Sequence, residues 1–293
     1  MKKIFYLMII ITLCKTVNAQ IVSYDFYSFR LNNMYNVNPS YAAKGEGINA
    51  ILSAQTQNKG VPNANKNLMF GVYSKVSNSQ AIGGKIITDT RGAFQTTKAD
   101  ISFAQIAKLN ANSNLIFGIS AGVLNSNLSI ARIENYDVLD ATDPYLSQNY
   151  NNNTQFAAGA GLYFNYKTLE VSASMPHLLI TNQNVNSYAN AAIFYTIKAG
   201  DKIKITPWIC YQNTPITKSV SSGYLKLMFA EKLWLQAGYQ TNSSLSAMFG
   251  VNIENLGVGY GFRLSNNRYQ SITSGSHEIT LSYKFLKNKE QKK

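Results

Sequence analysis

Cysteine is scarce in this chain: Cys14 and Cys210 are the two there are. Met1–Lys3 is basic, Ile4–Leu13 is apolar, and Val17-Asn18-Ala19 precedes Gln20. That order predicts a secretory signal peptide over residues 1–19, removed after Ala19. Cys14 lacks the small residue before it that a lipoprotein signal requires, so it leaves with the signal. One cysteine then remains, which excludes an intramolecular disulfide framework and a metal site of paired cysteines. Histidine is as rare, at His177 and His277. Gly118-Ile119-Ser120-Ala121-Gly122 spells G-x-S-x-G, but it lies inside the alternating segment Leu115–Leu124 rather than at a strand-to-helix turn. Neither histidine sits in a nucleophile elbow, so a serine–histidine hydrolase has no support. Charged residues make up 14% of the chain, against about 25% in ordinary soluble domains. Long apolar runs are also missing: nothing in the mature region approaches the roughly 18 residues of a membrane-spanning helix.

What is present is alternation. The chain carries 19 Tyr and 19 Gly, with abundant Asn and Ser. From Gly47 to Phe285 it reads as short period-two segments bounded by Asn, Gly, Ser, Lys or Asp. Ile48, Ala50, Leu52 and Ala54 share a face, as do Ile101, Phe103, Gln105, Ala107 and Leu109. Phe156, Ala158, Ala160, Leu162, Phe164 and Tyr166 share another. About 14 such strands are expected, an even number if both termini lie in the periplasm. Apolar residues facing lipid at every second position never accumulate into runs. The predicted class is therefore all-β: a transmembrane antiparallel up-and-down barrel over residues 47–285 in an outer membrane. A secreted β-sandwich or solenoid is the soluble competitor.

Three details refine this reading. Glycines recur inside strands, among them Gly71, Gly118, Gly159, Gly161, Gly238 and Gly250, as tight curvature would allow. Tyr73, Tyr166, Tyr211, Tyr239, Tyr260 and Tyr283 fall near strand ends, where interfacial girdles place them. Pro207 lies inside Ile203–Tyr211 and predicts a bulge or break, since proline donates nothing to a ladder. His177 and His277 read as polar residues at strand ends. The net charge of +13 includes a basic tail, residues 286–293, with four lysines and one glutamate. Export and the scatter of the other basic residues argue against nucleic acid as a partner. Gly257-Val258-Gly259-Tyr260-Gly261 lies within a strand, so it is no phosphate loop. Glu134, Asp137, Asp140 and Asp143 lack the order of a calcium loop. No catalytic residue, metal or cofactor is expected.

Two longer stretches carry a family resemblance. Asn33-Met34-Tyr35-Asn36-Val37-Asn38-Pro39-Ser40-Tyr41-Ala42 resembles the N-x-x-x-x-N-P-[AS]-Y-A opening of the PorP/SprF family, outer-membrane proteins of type IX secretion and gliding motility. His277-Glu278-Ile279-Thr280-Leu281-Ser282-Tyr283-Lys284-Phe285 is similar to that family's closing H-E-[IL]-S-L-S-Y-x-F. Ser174–Leu179 resembles its S-x-P-H-L-L, and Leu139–Pro144 its L-D-x-x-D-P. Trp234–Tyr239 looks like W-[LV]-G-x-x-Y-R, with Gln240 in place of the arginine. The resemblance implies a non-enzymatic accessory of type IX secretion. Its partners would be outer-membrane lipid and either the translocon's periplasmic ring or an adhesin with a C-terminal sorting domain. A diffusion porin or small-molecule transporter is the alternative.

Residues 20–46 precede the first strand and hold more aromatics than a solvated lead-in tolerates. They are expected to fold into or under the barrel as a plug, with Asn38-Pro39 making the turn, or else to pack on the first hairpin. Candidate partner contacts are Tyr27, Phe29, Tyr35, Asn38, Pro39 and Tyr41 here, and Asp140 and Asp143 in Arg132–Gln155, the longest irregular connection, expected to be a surface loop. Ile279, Leu281, Tyr283 and Phe285 form the expected barrel-assembly strand.

Overall fold

A computed structural model describes residues 33–128, 153–181, 188–213, 219–265 and 273–285. The first strands are β1 (Ile48–Thr56), β2 (Lys66–Lys75), β3 (Gln80–Arg91), β4 (Phe94–Asn110) and β5 (Ser113–Leu128). Next come β6 (Asn153–Tyr166), β7 (Leu169–Ile180), β8 (Ala189–Tyr195), β9 (Ile197–Ala199) and β10 (Ile203–Asn213). The chain closes with β11 (Val220–Phe229), β12 (Leu233–Gln240), β13 (Ser244–Ile253), β14 (Leu256–Ser265) and β15 (Ser276–Phe285). Apart from β8 and β9, which do not pair with each other, each strand pairs antiparallel with its sequence neighbours. β15 returns to β1 with Ile48 opposite Phe285, which closes the sheet and leaves no edge. β8 and β9 are one stave: both pair with β10 in a single register, Trp208 opposite Phe194 and Ile205 opposite Ile197. The barrel therefore has 14 staves.

The break expected at Pro207 falls on its neighbour instead. β10 runs through Pro207 without interruption, while Thr196, next to the position facing that proline, leaves the ladder. A residue without an N–H cannot hold the facing strand. Thr196 turns its own N–H to the Thr168 carbonyl at 3.0 Å, and its hydroxyl meets that of Thr206 at 3.1 Å.

Alternation sorts the wall as lipid requires. On β4, Ile101 is 73% exposed on the outer face, while Lys98, Asp100 and Ser102 are buried on the inner one. Gln155, Gln212, Gln236, Gln240 and Glu278 also point inward, and Leu235, Phe249 and Ile279 point outward. Polar inside and apolar outside is the reverse of a soluble sandwich. Ile279, Leu281, Tyr283 and Phe285 form the outer face of β15. Tyr166, Tyr211, Tyr239 and Tyr283 likewise face out near strand ends. Tyr73 does not: it turns inward and its ring lies 4.6 Å from that of Tyr35. Tyr260 stays on the outer wall, bonded to Nδ1 of His277 at 2.6 Å.

The two rims differ. At the rim where β1 starts and β15 ends, connections are two to four residues long, such as 111–112, 167–168 and 76–79. Longer connections, including the chain between Leu128 and Asn153, gather at the other. Outer-membrane barrels put short turns in the periplasm, so the first rim is periplasmic.

Candidate functional site

Before β1, two 3-10 turns, Met34–Asn36 and Pro39–Ala43, form a strap on the inside of the barrel. Asn38 starts the second turn: its Oδ1 accepts from the Ser40 N–H at 2.9 Å and from the Ser40 hydroxyl at 2.6 Å. Pro39 at the first position of that turn needs no donor. The Asn38 amide nitrogen donates to Ser172 Oγ at 2.9 Å, to the Leu162 carbonyl at 3.0 Å and to the Ala173 carbonyl at 3.3 Å. One buried side chain thus shapes the turn and ties it to β6 and β7.

Other contacts carry the strap along the wall. The Asn33 amide donates to Ser53 on β1 at 3.1 Å, and the Tyr35 and Ser102 hydroxyls share a 2.7 Å bond. Lys85 on β3 donates to the carbonyls of Tyr35 and Asn36 at 3.0 and 2.7 Å. Tyr41 meets Tyr163 edge-on at 4.9 Å, and Lys44 pairs with Glu170. The glycines of this wall make room for it. A Cβ on Gly118 would overlap the Pro39-Ser40 backbone, and one on Gly161 would overlap the Asn38 side chain. Close approach, more than curvature, accounts for glycine at these positions. From β1 to β7 every stave meets the strap or makes way for it.

Next to the strap lies a polar group. Lys98 pairs with Asp100 at 2.8 Å and donates to the Pro176 carbonyl at 3.2 Å. The β6–β7 register shifts between Ala158 and Ala160, giving β7 two extra residues there. This bulge turns both Pro176 and His177 inward, where His177 meets Tyr188 edge-on at 5.7 Å. His177 is therefore a buried residue within β7, and not the polar strand-end residue that the sequence suggested. A bulge is the cause: it sends two consecutive side chains to one face.

The facing wall is aromatic. Phe194, Trp208 and Tyr224 stack in a row, with ring centroids 5.3 and 4.2 Å apart. Tyr224 covers Gly238 and Trp234 covers Gly250, sites where a Cβ would collide with the rings. Gln240 donates to the Tyr224 hydroxyl at 2.7 Å, and Lys226 lies 4.8 Å from the centre of the Trp234 ring. Sequence periodicity places most of these residues within strands. It could not mark them as neighbours, because each belongs to a different strand.

Tyr35, Asn38, Pro39 and Tyr41 are thus brought together, buried against the barrel's own wall. Tyr27, Phe29, Asp140 and Asp143 lie outside the described residues, as do residues 1–19, where a signal is expected, the rest of 129–152 and the basic tail 286–293. Among the described residues, no group of three or more His, Cys, Asp or Glu is placed to hold a metal.

A family model described as type IX secretion system membrane protein PorP/SprF matches residues 17–283. No curated protein matches the chain. Among solved structures, it is similar to the CymD monoaromatic hydrocarbon channel, with a TM-score of 0.53 at 11% identity, covering 85% of this chain and 92% of that one. It is similar to the Ralstonia pickettii toluene transporter TbuX, with a TM-score of 0.52 at 11% identity over 85% and 92% of the two chains. The Acinetobacter baumannii outer membrane protein Omp33 gives a TM-score of 0.50 at 10% identity, over 82% of this chain and 98% of that one. At such identities the likeness is one of fold, an outer-membrane barrel.

Proposed function

The chain belongs to the PorP/SprF family of type IX secretion system membrane proteins, and from that premise we propose a non-enzymatic accessory that supports export or surface anchoring of one adhesin with a C-terminal sorting domain. Contact with the translocon's periplasmic ring is the other role the family offers. The observation that carries the reading, beside the family, is the strap. A barrel built to pass solutes keeps its lumen open around a charged constriction. Here seven of the 14 staves meet or make way for the protein's own N-terminal segment, and glycines are spent to seat it. The facing wall is filled with stacked rings. Such an interior suits a barrel that serves a protein partner from its rims. We take residues 33–43 to act as a plug, and partner contact by Tyr35, Asn38, Pro39 or Tyr41 then requires the strap to leave the wall.

Crosslinking in outer membranes, followed by capture of the tagged protein, tests this. It should bring down a large surface adhesin or type IX components. Recovery of the barrel alone sinks the accessory role.

A further inference from the structure

We propose that the periplasmic mouth of the barrel, under the end of the strap, is a binding site for an acidic peptide segment. A cavity of about 650 Å³ opens there between Ala43–Gly47 and the inner ends of β2, β4, β5 and β6. Its size is that of a ligand site. Lys75 and Lys108 line it, and neither makes an ion pair among the described residues. Lys44, also in the lining, is neutralised by Glu170. Glu46 supplies the opposing carboxylate on the rim, so the cavity keeps a positive balance.

The remaining lining selects among anions. Ile106, Ile116 and Tyr163 form an apolar floor. Asn114 donates to Asn165 at 3.3 Å, and the pair keeps amide hydrogens and a carbonyl to offer a peptide backbone. Apolar floor, amides and ammonium groups together match side chain, backbone and carboxylate of a peptide. Free phosphate would use the lysines alone. Lipid head groups reach the outer face of the rim, whereas this cavity lies on the inner one. Its strap wall couples the site to the lumen: an occupant at Lys75 and Lys108 lies beside the Lys44–Glu170 pair that holds the strap's end.

The test uses the full mature chain in detergent micelles, which leave both mouths in water. A short fluorescein-labelled peptide of alternating Glu and Ser is titrated and followed by anisotropy. Binding is expected, falling with ionic strength and weakened about tenfold in Lys75→Gln/Lys108→Gln. Lys59→Gln, at the opposite rim, should bind as the unaltered chain does. The inference is overturned if the peptide does not bind or if the double variant binds equally. It is also overturned if a Gln-for-Glu peptide binds as well, or if phosphate displaces the peptide better than chloride at matched ionic strength. Failure of the crosslinking capture would remove the adhesin reading and leave this result standing.

Discussion

At the scale of single residues, Asn38 does most to hold the strap. Asn38→Ala removes both the cap on Ser40 and the anchor to β6 and β7. Stability should fall by about 2 kcal/mol, and trypsin should cut faster after Lys44, as read by urea titration and timed digestion. Gly161→Val should speed the same cleavage with Asn38 intact, since the new side chain occupies that residue's place. Asp100 tests a different term. Its side chain is 0% exposed beside Lys98 at 5%. Asp100→Ala strands a buried ammonium and should cost about 3 kcal/mol in the same titration. Part of this was legible in the sequence: Asn38-Pro39 announced a turn, because side-chain capping is local. Its anchor was not, because Ser172 lies 134 residues away. Tyr73 misled for a related reason: nearness to a strand end does not say which face a ring takes.

At the scale of elements, the staves were readable because lipid outside and polar groups inside impose one period on every strand. Irregularities were less so. Pro207 disclosed that a ladder would break but not which strand would yield, and the β7 bulge followed from no local signal. Turns offer a sharper test. Ala230 and Glu231 in the β11–β12 connection both hold positive φ, 49° and 58°. A Cβ is costly there, so Ala230→Gly should stabilise the barrel by about 1 kcal/mol in thermal unfolding. Glu231 also accepts a hydrogen bond from Lys204, which with that charge holds its carboxyl below its ordinary value of 4.5. A lowered carboxyl stabilises above its unfolded pKa and loses that effect as pH falls through the folded one. The difference in melting temperature between the unaltered chain and Glu231→Gln should therefore be present at neutral pH and vanish in acid.

For the whole molecule, 14 staves give a ring wide enough for a narrow channel if nothing fills it. With the strap and the aromatic row in the lumen, the unaltered barrel should be silent in planar bilayers, and removal of residues 33–43 should raise its conductance. A steady open current from the unaltered chain would favour a diffusion porin. If this barrel serves a secreted protein, the surface proteome compared with and without the chain should show it. One sorting-domain adhesin, or a few, should vanish from the surface and accumulate in the periplasm, with solute uptake unchanged. An unaltered surface proteome with impaired uptake of a small solute would contradict it.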